Sequence, residues 1–523
     1  MFFRSLLLII VSFGLSFSTL YQPKAATAAT RFSESLRPMG RPPAGATWYP
    51  VSLSFGPECG HLGFVAKTDK GMQVVLDGAS CEPYKSIGRG TPVFSRSGRS
   101  VYIAHTGNGM RVVADGKTGP LFEGVDSVRF SPDGRRLVYR AQQARRQRIQ
   151  LDDAAGPWFD AVAARPAPSF SPDSRRLAYV GVAGKQAFVV VDGKRQGPYE
   201  TVKEVGWSAD GGHLFYAARM GGRWHLVVDD RPGPGYADVL APALSVDGHR
   251  RAYAVRTDTG MQMVVDGKAG RKFTTVGTPV FSSDGGRLAY AAQAGKHWHL
   301  IVDGEKGPAF DQVGLYLFSP DGKRLAYHGV HDEKGQIVVD GVKQKTYASV
   351  GLPVFSMDGK HLAYRAFDGQ KWRIILDGRP GPAFQGVRRP FFGWQGRRLA
   401  YAAVKASEET SSEGNKMCMV VDGQPQPRFD AVGVPYFSPD DAHLAYPVQT
   451  DGKWYIAVDG EVGTTPLDGF LKGAPFAYTD TNRFQTLGLR LPGPTFVQVS
   501  VTITAPEAGV KKSASAKDHR CEE

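Results

Sequence analysis

Cysteine is nearly missing from this chain: there are four among 523 residues, Cys59, Cys81, Cys418 and Cys521, and no Cys-x-x-Cys pair. Zinc-ribbon and thioredoxin-like designs are thereby excluded, as is a small core held together by disulfides. Helical periodicity is missing as well; no window of about 11 residues or more repeats its apolar side chains every 3.6 positions. No Gly-x-Ser-x-Gly elbow occurs, so serine-hydrolase chemistry is set aside. Long apolar runs are absent except at the start, where Arg4 precedes the stretch Ser5 to Ser18 and small residues follow up to Ala28. That segment reads as a signal peptide over residues 1–28, and it predicts a periplasmic or secreted protein. An uncleaved anchor is the alternative, although the run falls short of the ~20 residues that span a bilayer.

What is abundant is glycine (63) and proline (35), with 42% hydrophobic and 22% charged residues. This is the composition of a folded, turn-rich all-β protein rather than a disordered one. A chain of 523 residues also exceeds the ~250–300 that one core organises. Several domains or a repeat array must carry it.

Two landmarks reveal the array. One is an apolar strand end followed by a turn, as in Phe130-Ser-Pro-Asp-Gly134 and Phe318-Ser-Pro-Asp-Gly322; its anchors run from Phe55 to Phe476 in twelve copies. The other is Asp-Gly after an apolar strand, and from Asp192 to Asp377 its aspartates recur every 37 residues. A polar insertion, Lys405 to Lys416, lengthens one later step. Within a copy, short runs of β-branched and aromatic residues alternate with glycine-containing turns, which predicts four antiparallel strands. Such a sheet is apolar on both faces and needs neighbours on each side, which a propeller supplies.

The motif Phe-Ser-Pro-Asp-Gly-Arg-Arg-Leu-Ala-Tyr resembles the WD-like repeat of TolB-type periplasmic propellers and of prolyl-oligopeptidase-type propellers, over nearly all of residues 50–480. The resemblance implies architecture and leaves function open. Three turns depart from it: Ser208-Ala-Asp-Gly, Ser245-Val-Asp-Gly and Gly393-Trp-Gln-Gly. The expected fold is an all-β propeller of about twelve four-stranded antiparallel blades, two six-bladed rings being favoured over one wide ring. The halves would be 29–272 and 273–504, followed by a polar tail at 505–523. Tryptophan opens the third strand in every second copy (Trp224, Trp298, Trp372, Trp454), so the amplified unit is a blade pair. The last copy lacks a fourth strand, which a segment between Ala29 and Ser54 is expected to supply.

The net charge is +14, and +12 without Arg4 and Lys24. Much of it follows the first turn: Arg135 and Arg136, Arg175 and Arg176, Arg250 and Arg251, Lys323 and Arg324, Lys360 and His361, Arg397 and Arg398. These residues would form a positive ring on one face, suited to an acidic protein or an anionic envelope polymer; solvated hairpin tips are the plainer explanation. Nucleic acid is not expected, since no binding motif occurs. The four tryptophans are an aromatic platform or, more simply, interblade wedges. His225 and His299 follow two of them without a third metal ligand. The recurring aspartates read as turn residues rather than calcium ligands, and no cofactor or metal is expected. Cys59 and Cys81 lie in turns leaving one face of the first copy, which predicts a disulfide; Cys418 reads as a buried thiol. The function expected is a non-catalytic exported scaffold that binds a protein or an envelope polymer. A carbohydrate-active or lyase-type enzyme with a site at the propeller axis is the competing class.

Overall fold

The computed structural model describes residues 31–405 and 416–504. The expected signal segment 1–28, most of the polar insertion, the tail 505–523 and Cys521 lie outside the described residues. No helix among those described is long and apolar enough to cross a membrane.

Twelve antiparallel sheets follow one another along the chain, eleven of them with strands ordered from first to fourth as in sequence. The seventh blade shows why the sequence folds this way. Its inner edge, Val280–Phe281, is followed by the turn Ser-Ser-Asp-Gly, in which the Gly285 N–H donates to the Ser282 carbonyl at 2.9 Å. The second strand, Leu288–Ala294, is buried along both faces because a neighbouring blade covers each. The third strand, His297–Val302, turns into the fourth through Asp303-Gly304, with φ of +52° and +90°. Both central residues of this hairpin are left-handed, as a type I′ turn requires. All eleven aspartates at this turn have φ between 47° and 52°.

Packing between blades is repetitive. An aromatic residue near the fourth strand meets the buried tyrosine of the next blade edge-on, from Tyr84–Tyr102 to Phe384–Tyr401, with centroids 5.7–6.4 Å apart in seven such pairs. This orientation directs positive ring edges at negative ring faces.

Ring number is decided by the apolar clusters. Each of the twelve joins two consecutive blades. Blade six packs on blade seven through Met263, Phe273 and Tyr290, and blade twelve packs on blade one through Met39, Phe64 and Phe496. Two six-bladed rings would instead join blade six to blade one. The chain is therefore one twelve-bladed ring, and the expectation of two rings is corrected: the face blade six offers is the same as any other, so nothing in it prompts early closure.

The last blade closes the circle. Arg31–Gly40 pairs antiparallel with Thr495–Thr504 as its outer strand, from Arg31 opposite Thr504 to Gly40 opposite Phe496. The N-terminal segment thus supplies the missing fourth strand, as its sequence position suggests.

Candidate functional site

The first and third turns of every regular blade emerge on one face of the ring, and there the Asp-Gly aspartate does more than turn the chain. In all eleven regular blades its Oδ1 accepts the backbone N–H that opens the second strand, at 2.7–3.0 Å. Its Oδ2 meets an arginine or histidine just before that strand, at 2.5–3.5 Å. The residue is arginine in seven blades and histidine in four: His61, His213, His361 and His443.

The arginines also reach across. In Arg99, Arg136, Arg176, Arg250, Arg287, Arg324 and Arg398 the guanidinium donates to a turn carbonyl of the next blade, at 2.5–3.3 Å. Each also lies over the next blade's aromatic anchor, 4.8–5.8 Å from its centroid. One side chain thus holds its own blade's aspartate, its neighbour's backbone and its neighbour's ring.

This splits the positive ring expected from the sequence. Arg136, Arg176, Arg250, Arg324 and Arg398 are interblade clamps with their charge matched by aspartate, so they are not a free anion-binding surface. Arg251 is out of step, taking the strand-opening place that leucine holds in nine of the other regular blades and Ser100 in one; it is half-buried. Exposed tip cations remain at Arg135, Arg175, Lys323, Lys360 and Arg397; the Arg175 and Lys360 side chains are 85% and 76% exposed. The clamp was legible as a spacing of sixteen residues between the second basic residue and the Asp-Gly aspartate, a signal hidden when the basic residues are read as pairs.

Where histidine replaces arginine the imidazole keeps the contact with its own blade's aspartate, at 2.5–2.7 Å. His61 covers the next anchor, Phe94, by stacking on it at 5.6 Å, and Phe476, after His443, is covered by Tyr436 at 5.0 Å. After His213 the anchor is Leu244. After His361 it is Phe392, half-buried like most of the anchors. A cavity of about 1010 Å³ opens there between blades nine and ten. Phe392, Tyr401, Ile374 and Pro382 form its apolar surfaces, with Lys360, Arg379 and Arg397 about its rim. Five lysines and arginines line it with Asp377 and Asp422; of these Arg324 pairs with Asp340 at 3.2 Å, Lys360 with Asp358 at 3.4 Å and Arg398 with Asp422 at 3.0 Å. No sequence pattern of ligands points to this cleft; its one signal is histidine where the repeat usually has arginine.

The other expectations resolve individually. Trp224, Trp298, Trp372 and Trp454 are half-buried and separated by whole blades, so they form no shared platform. Trp224 lies under the Lys203 ammonium at 4.3 Å, Trp372 stacks beside Phe367 at 5.1 Å, and Trp454 meets Phe470 edge-on at 6.2 Å. His225 and His299 each use Nδ1 on a carbonyl of the following strand region, Gly233 at 2.8 Å and Gly307 at 2.9 Å. One exposed trio, Asp311, His331 and Asp332, brings potential ligand atoms together. Its Asp311 carboxylate accepts the Asp332 N–H at 2.9 Å, which fixes a hairpin turn and holds that carboxyl below its usual range.

The Cys59–Cys81 disulfide is corrected: both thiols are free. Cys59 points into the interface with blade twelve, its thiol donating to the Pro475 carbonyl at 3.4 Å, whereas Cys81 borders the interface with blade two. The two side chains leave opposite faces of blade one. Burial pushes the Cys59 thiol up to about 12. Cys418 is buried, as its strand position suggests.

No family model and no curated protein matches the sequence. Among solved structures the chain is similar to TolB from Acinetobacter baumannii, at 17% identity over 48% of this chain and 80% of that one, with a TM-score of 0.23. It is also similar to the Dos1 propeller, at 10% identity over 65% and 94%, with a TM-score of 0.26. A third is the dihydro-heme d1 dehydrogenase NirN in complex with DHE, at 15% identity over 60% and 80%, with a TM-score of 0.27. Likenesses this distant carry no argument about activity, and the propeller assignment stands on the twelve sheets themselves.

Proposed function

We propose that the protein is an exported, non-catalytic binding scaffold that docks an acidic partner on the turn face of its ring. The observation that supports this reading is the division of labour among the basic residues. The clamps hold their charge inside the wall against aspartate, while Arg135, Lys323 and Arg397 expose theirs on one face, beside the exposed Arg175 and Lys360, which also meet Asp173 at 3.7 Å and Asp358 at 3.4 Å. Cations gathered on a rigid face attract a polyanion in a salt-dependent way, because the field is screened beyond ~8 Å at physiological ionic strength.

The test is binding of polygalacturonate to the protein without residues 1–28, at about 20 and 500 mM salt, beside a variant with all five tip cations changed to glutamate. Binding should weaken at least about tenfold with salt and be lost in the variant. Equal binding by the variant rejects the reading.

A further inference from the structure

We propose that a divalent transition-metal ion binds where blade seven joins blade eight, held by Asp311, His331 and Asp332. The hairpins between second and third strands leave the ring on the face opposite the turn face, and the site lies among them. It is therefore independent of the docking reading.

Three observations carry it. First, the side chains converge from separate segments. Asp311 stands in the connection just before the first strand of blade eight, Gln312–Phe318; His331 ends that blade's second strand, Leu325–His331, and Asp332 opens the hairpin after it. One potential ligand atom from each lies within 4.8 Å of the other two.

Second, histidine departs from the repeat at this place. Carboxylates brace the same hairpin in other blades without it: Asp160 accepts the Gly184 N–H at 2.7 Å and Glu200 the Gly222 N–H at 2.8 Å, as Asp311 accepts that of Asp332 at 2.9 Å. The second strands there end in Ala183 and Met220, where blade eight has His331. His297 of blade seven approaches from the other side, its Nδ1 3.8 Å from Oδ1 of Asp311, where the other two blades have Arg146 and Gln186. Bracing the turn accounts for the carboxylate and for neither imidazole.

Third, the spacing suits ligands better than hydrogen bonds. His331 faces Asp311 with Nδ1 and Asp332 with Nε2, each at 3.5 Å, beyond the ~2.7–2.9 Å of a charge-assisted bond. Atoms bound at ~2.0–2.2 Å to a tetrahedral ion stand about 3.3 Å apart, so small side-chain rotations bring one imidazole nitrogen and both carboxylates onto one ion. The Asp311 oxygen that accepts the backbone N–H keeps a second lone pair for it. Two carboxylates balance the ion's charge, and the imidazole selects nickel, copper or zinc over magnesium and calcium, which prefer oxygen alone. Water completes the shell, since all three side chains are exposed.

The test is calorimetric titration of nickel(II) into the protein bearing no affinity tag, at neutral pH. One ion should bind per chain and raise the melting temperature, as any ligand of the folded state alone does. His331→Ala and Asp311→Asn should each bind it at least about tenfold more weakly. Asparagine keeps an acceptor for the Asp332 N–H, and His331 is exposed, so without metal both variants should melt with the native protein. Calcium at about 5 mM should leave the melting temperature unmoved. Unchanged nickel binding by His331→Ala, or no binding up to about 1 mM nickel, overturns the site. Calcium bound as tightly as nickel overturns the transition-metal assignment. The glutamate tip variant should bind nickel normally, so failure of the docking face and failure of this site are read separately.

Discussion

Arg287 illustrates how much of this ring rests on single side chains. Its guanidinium meets Asp303 at 3.0 Å, the Lys323 carbonyl at 2.8 Å and the Phe318 ring at 5.4 Å. The two side chains are 34% and 44% exposed, so solvent screens the pair and the ion pair alone contributes little. With the ring contact and the carbonyl bond, Arg287→Ala should cost about 1–2 kcal/mol in urea unfolding. Arg287→Lys should lose most of the same amount, because an ammonium is a point charge and cannot serve three directions as a planar fork does. A lysine variant as stable as the native chain would show that charge alone matters. Gly393 marks what the sequence hid at this scale. Read alone, Gly393-Trp-Gln-Gly is a degraded turn; in the ring, Asp441 of the next blade accepts the Gln395 N–H at 3.0 Å and the Arg397 N–H at 3.3 Å. A Cβ on residue 393 would collide with that carboxylate, so the serine usual at this place does not fit.

At the scale of elements, the strand Arg31–Gly40 carries more than its length suggests. It joins the two ends of the chain, with Met39 fully buried against blades one and twelve and Glu34 accepting the Thr464 and Thr465 N–H groups at 3.0 and 2.9 Å. Met39→Asp puts an unpaired charge into that seam. It should lower stability by at least about 3 kcal/mol and open residues 31–40 to proteolysis before the interior blades. Simultaneous cleavage throughout the ring would argue that this strand is not the weak point. The strand itself was legible as a missing partner for the last copy. Its register was not, because only the facing strand Thr495–Thr504 fixes which residues turn inward.

At the scale of the whole molecule, the turns make the ring sensitive to acid. In eight blades the serine hydroxyl of the first turn donates to the aspartate two residues on, and a turn N–H donates to it as well; together these hold Asp133, Asp173, Asp210, Asp247, Asp284, Asp321, Asp358 and Asp440 below the usual carboxylate range. A carboxyl whose pKa is depressed on folding contributes stability above its unfolded value, and that stability is lost as pH falls through the folded one. The melting temperature should therefore be level from neutral pH down to about 5 and fall continuously below about 4. A melting temperature at pH 3 equal to that at pH 6 would contradict this.

The repeat by itself determined the blades, their strand order and their turns, because a 37-residue period with Asp-Gly and Ser-Pro-Asp-Gly punctuation is local chemistry that each copy restates. It also placed the basic residues on one face. Only the tertiary structure decided that the twelve blades make one ring, that half of those basic residues are clamps, and that Cys59 and Cys81 face apart. These outcomes depend on what the next blade presents, and no single copy encodes its neighbour.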